Sequence, residues 1–86
     1  MIKAELAELE TLSRRLGVCG GEVTDLQRAL TTLINTTTWT GAAADRFRQA
    51  WESEFNPALR NLADELSRAA QEVDRRKHLI DQAANH

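Results

Sequence analysis

The sequence predicts an all-α protein: an antiparallel two-helix hairpin that dimerises into a four-helix bundle. Three observations carry this expectation. Apolar residues recur at steps of three and four over most of the chain. A run of poor helix formers lies near its middle. The composition is that of long helices, 42% hydrophobic and mostly Ala and Leu, with 28% charged residues. At 86 residues the chain is one domain with a modest core.

The first helix is read over about residues 3–35. Leu9, Leu12, Leu16, Cys19, Val23, Leu26, Leu30 and Leu33 form a heptad seam with no phase slip, and Ile2 and Leu6 extend it more loosely. Gly17, Gly20 and Gly21 cost about 1 kcal/mol each against Ala inside a helix. Because the seam crosses them in phase, they are expected to flank it and let a neighbouring helix approach closely. A local kink or bulge is the alternative.

The turn is placed at 36–41. Asn35 to Thr38 end the first helix, and Thr40 is the expected N-cap of the second. Trp39 and Ala44 then occupy the positions of a hydrophobic staple. A link this short makes the two helices antiparallel neighbours. Gly41 is expected because a side chain there would press on the indole or on the facing helix.

Helix two is read over about 42–84, with Ala44, Phe47, Trp51, Phe55, Leu59, Leu62, Leu66, Ala69, Val73, Ile80 and Ala83 on one broad face. Arg76 interrupts that face. Pro57 removes a backbone donor and predicts a kink, since the stripe resumes in phase at Leu59. At 1.5 Å per residue the helices would be roughly 50 and 65 Å long.

Two helices side by side make a slab one helix thick, and each apolar stripe is wider than one line of contact. Burying a large apolar side chain contributes about 1.5–3 kcal/mol, against a total stability of about 5–15 kcal/mol. Half-exposed stripes therefore favour a second hairpin closing a four-helix bundle. The core of that hairpin or dimer is expected to comprise the Leu9 to Leu33 seam with Phe47, Trp51, Phe55, Leu59, Leu62, Leu66 and Val73.

Other functions find little support. The net charge is -2, with both signs mixed along the chain, and no basic stripe suggests nucleic acid. The cluster Arg75-Arg76-Lys77-His78 suits a helix C-terminus. With a single cysteine, Cys19, no intramolecular disulfide is possible, and at a seam position it reads as a small apolar residue. His78 and His86 stand apart from it. No catalytic, metal or phosphate-loop pattern occurs, so no enzyme activity and no cofactor are expected. The first residues lack the apolar region of a Sec signal peptide, and no run approaches the ~20 apolar residues of a membrane span.

Trp39-Thr40-Gly41 followed by Ala42-Ala43-Ala44, Phe47 and Trp51 resembles the signature of the WXG (ESAT-6-like) family: Trp-any-Gly at a hairpin tip, small residues, then an aromatic. The resemblance covers the whole chain. It implies a non-enzymatic protein of a type VII (ESX) secretion system, cytoplasmic before export and secreted without a Sec signal. It also implies a dimer with a related WXG hairpin, and a composite export signal, offered to the system's ATPase, in which Trp39 and Gly41 take part. Trp51 reads as a packing residue. Such proteins often carry a Tyr-any-any-any-Asp/Glu signal after helix two, and this sequence has no Tyr. A heterodimer whose partner supplies that signal is therefore favoured over a homodimer. The alternative is a cytoplasmic coiled-coil adaptor or structural interaction protein unrelated to export. Membrane contact through opened amphipathic faces is not expected.

Overall fold

The computed structural model describes residues 2–84 and is 94% helical, with no strand among the described residues. Helix α1 spans Ile2–Thr36 and α2 spans Ala42–Ala50. A π-helical turn, Trp51–Phe55, joins α2 without a break to α3, Asn56–Ala84. The side chain of Ile2, and His86, lie outside the described residues. The hairpin measures 66 × 17 × 15 Å. Its radius of gyration is 19.1 Å, where a compact domain of this length has about 12 Å.

The two long helices meet along a column that is not the leucine seam. On α1 it runs through Ser13, Gly20, Gln27 and Ile34, all buried or half-buried at heptad spacing. On α3 it runs through Asn56, Ala63, Ala70 and Lys77. Apart from Ile34 these residues are small or polar, and the small ones bring the backbones close. A Cβ added at Gly20 would lie 3.3 Å from Ser67 Oγ and 3.4 Å from the Ala63 carbonyl oxygen. The Ser13 hydroxyl donates to the Ala70 carbonyl at 2.8 Å.

Gly20 is therefore the close-approach residue. Gly17 and Gly21 correct the expectation for all three: a Cβ at either meets nothing within 4 Å. They lie towards the edge of the contact, where no neighbour reaches them, and α1 passes through all three unbroken.

Just before Pro57, where a kink is expected, the helix widens into the π turn. There the Asn56 amide donates to the Trp51 carbonyl, five residues back, so the helix takes up one extra residue just before the proline. The extra residue resets the phase. Ala44 and Trp51 face α1, and seven-residue steps from Trp51 would bring Ala58, then Glu65 and Glu72, inward. The wide turn instead brings in Asn56, Ala63 and Ala70 and leaves both glutamates exposed.

The cap of α2 is Gly41, not Thr40, with φ 111°, ψ 176° and no side-chain cap. The amide of Asp45 donates to the Gly41 carbonyl at 3.0 Å. A Cβ at Gly41 would meet nothing within 4 Å, so crowding beside the indole does not explain this glycine. Its positive φ does, being the one among the described residues and a conformation that L side chains rarely adopt. With the cap at Gly41 the staple positions also shift, and the ring of Trp39 meets that of Phe47, centroids 5.9 Å apart and tilted by 48°.

Candidate functional site

The leucine seam divides into two columns with different fates. Leu9, Leu16, Val23 and Leu30 lean against α3 and are half-buried. Leu12, Cys19, Leu26 and Leu33, three residues further along in each case, are exposed, Leu26 at 52% and Leu33 at 60%. Helix two repeats the pattern. Leu59, Leu66, Val73 and Ile80 are half-buried, while Phe55 and Leu62 are exposed. Phe47, three residues beyond buried Ala44, is exposed as well.

Both apolar columns lie on the same side of the slab. Each is reached from the facing column by moving three residues forward or four back. On two antiparallel right-handed helices that rotation turns towards the same side. The meeting of Leu9, Leu12 and Ile80 around one shallow depression at the open end agrees with this. The opposite side carries Thr24, Arg28, Arg60 and Asp64 along a groove beside Gln27. One side is thus a continuous apolar face and the other is polar.

Within one copy, some of the residues expected in the hairpin or dimer core are left uncovered. Leu12, Cys19, Leu26, Leu33, Phe47, Phe55 and Leu62 are exposed, whereas Trp51 is buried at 6%. Among the described residues no large side chain is fully buried. The physical reason is geometric: a single neighbouring helix covers only one line of an α-helical surface. The accessible area, 6616 Å², exceeds that of a compact monomer of this mass by about 1,500 Å².

Near the turn, polar bonds hold what the leucines do not. The Trp51 indole N–H donates to the Thr31 hydroxyl at 3.3 Å, and the Gln27 amide donates to Thr31 and to Asn56. The last turn of α1 holds no basic residue of its own. Arg48, from α2, supplies the donors instead: Nε to the Ile34 carbonyl at 3.4 Å, one terminal nitrogen to that of Trp39 at 2.7 Å and the other to that of Thr37 at 3.0 Å. Trp39 itself is half-exposed above Phe47.

The structure thus brings Trp39 and Gly41 together with Phe47 at the tip, and strings the exposed leucines along the shaft. Sequence reasoning missed Arg48, Gln27, Thr31 and Asn56. The signal for Arg48 was a helix C-terminus lacking a cation and a short turn within reach of the next helix. Among the described residues no group of His, Cys, Asp and Glu gathers into a metal-binding arrangement, and no helix is long and apolar enough to cross a membrane.

No curated protein and no solved structure matches the chain. A family model does: WXG100, described as proteins of 100 residues with WXG, over residues 1–83. With the Trp-any-Gly at the tip of a two-helix hairpin and nearly the whole length matched, this chain belongs to the WXG100 family.

Proposed function

We propose that this chain is a type VII secretion protein that dimerises with a related WXG hairpin through its apolar face and is exported with it. The WXG100 family is known for type VII secretion proteins. It is a small helical secretion and structural family, not an enzymatic one, and its members generally pair with related WXG partners. The observation that carries the reading is the apolar face, formed by Leu12, Leu26, Leu33, Phe55 and Leu62, each about half exposed. Covering such side chains contributes roughly 1 kcal/mol apiece, a total comparable with the stability of a small domain. A second hairpin laid on that side completes a four-helix bundle.

In this reading the partner is a different WXG hairpin that supplies a tyrosine-based tail, the 86 residues here holding no Tyr, and a homodimer is second choice. Trp39 and Gly41 lie beside that tail, and the composite surface is what the secretion ATPase binds. Two variants in cells carrying the secretion system test the reading. Leu26→Glu, on the apolar face, is expected to abolish the complex formed on co-expression with the neighbouring reading frame. Trp39→Ala is expected to keep the complex, by native mass, and to stop export. Normal export of Trp39→Ala would overturn the export role, and a folded monomer of wild type at micromolar concentration would overturn the pairing.

A further inference from the structure

We infer that Arg48 is the positioning residue of the Trp39–Gly41 turn: its guanidinium fixes the main chain at Trp39 so that the indole stands on Phe47 in one orientation, already in place before export. The inference deepens the proposed function and rests on its reading of Trp39 as a recognition residue. Trp39 lies in a segment with few holds. Its amide donates to the Thr37 carbonyl at 3.0 Å, and the next backbone bond outside the helices is made only at Gly41. Its ring is half-exposed. An exposed tryptophan on a short turn would ordinarily sample several orientations, each ordered one costing conformational entropy.

Two adjacent residues of α2 remove that freedom. Phe47 meets the ring, and Arg48 holds the main chain of the same residue, accepting nothing and donating to three carbonyls at once. Those carbonyls come from the last turn of α1, from Thr37 and from Trp39 itself, so one planar fork ties the end of α1, the turn and α2 together. The contact at Trp39 is the shortest of the three, 2.7 Å. Only arginine presents donors in this fixed geometry; a lysine ammonium is a point charge on a flexible stem. No carboxylate pairs with Arg48 among the described residues, so the guanidinium is given over to main-chain carbonyls of the turn and the end of α1.

The test uses the full chain with its co-expressed partner, both labelled with 5-fluorotryptophan, the resonances of Trp39 and Trp51 being assigned by their loss in Trp39→Phe and Trp51→Phe. Arg48→Gln is expected to shift and broaden the Trp39 resonance, leave the Trp51 resonance in place and preserve the complex. Export is expected to fall about tenfold, in proportion to the lost population of the ordered turn. Arg48→Lys, which keeps the charge and the fold but reaches fewer carbonyls, is expected to restore neither fully. An unmoved Trp39 resonance in Arg48→Gln overturns the inference. So does complete restoration by Arg48→Lys, which would make the charge sufficient. If Arg48→Gln fails to fold, Arg48→Lys carries the same two readouts. Normal export of Trp39→Ala would sink the recognition reading, whereas the positioning role of Arg48 is still decided by the fluorine spectra.

Discussion

Around Gly20 the two long helices touch through small groups: the glycine faces the Ser67 hydroxyl, the Ala63 carbonyl and the Cβ of Leu66, at 3.3, 3.4 and 3.5 Å from where a Gly20 Cβ would stand. Closer to the turn the same helices are joined through Gln27, Thr31, Asn56 and Trp51, every one of them using a polar atom. The waist is held by shape and the tip by hydrogen bonds, and the two do different work. A heptad surface offers nearly equivalent contacts after a slip of seven residues, so shape brings the helices together without choosing the register. A polar pair at one level does choose it, since any slip leaves its groups unpaired. The wide turn at Trp51–Phe55 belongs to the tip for the same reason, because it places Asn56 level with Gln27.

The largest effect that breaks this comparison is expected at Trp51, which serves both modes: it is the one large apolar side chain classed as buried among the described residues, and its N–H is bonded. Trp51→Ala should cost about 3–5 kcal/mol, read from the denaturant midpoint at fixed protein concentration. Trp39→Ala, on an exposed ring, should move that midpoint far less. At the waist, Gly20→Leu should cost about 1–3 kcal/mol by overpacking, because backbone atoms of α3 stand in the way. At the tip, Thr31→Val keeps the volume but removes the acceptor of the indole N–H, for an expected loss of about 1 kcal/mol. If Gly20→Leu proves harmless while Thr31→Val does not, the waist is not limited by shape.

The helices, the turn and the half-wet apolar stripes were legible because each depends on the chain's own periodicity. The leucines of α1 recur every three or four residues, and Asn35 to Thr38 interrupt them. Which line of α1 meets α3 was not legible. The facing column, Ser13-Gly20-Gln27-Ile34, is the least apolar of the three adjacent columns, and hydrophobic patterning points away from it. The choice follows from the second helix, whose Ala63 and Ala70 allow close approach only to a column equally small. The π turn left a trace: Phe47, Trp51, Phe55 and Leu59 are separated by three successive steps of four, where an ideal heptad alternates four with three. At the tip, Trp39 and Gly41 were legible as a motif. Arg48 was not, since the cation-free end of α1 signals that a donor is wanted there without showing which residue supplies it.

The smallest effects give the sharpest form of the comparison, because one substitution is made at three neighbouring sites. Replacing a helical glycine by alanine stabilises the helix by about 1 kcal/mol where the methyl group meets no obstacle. Gly17→Ala and Gly21→Ala satisfy that condition, with nothing within 4 Å of the added Cβ, and each should raise the midpoint. Gly20→Ala places the same methyl 3.4 Å from a main-chain oxygen of α3 and 3.3 Å from Ser67 Oγ. The hydroxyl can rotate aside, but the carbonyl cannot without moving α3, so the propensity gain should be reduced or reversed. Ser67→Ala in the Gly20→Ala background separates the two obstacles: recovery would assign the cost to the hydroxyl, and no recovery would assign it to the backbone. Equal gains at all three glycines would mean that the helices are not in close contact at the waist, and that hydrogen bonds on either side of it, at the tip and from Ser13 to Ala70, set their spacing.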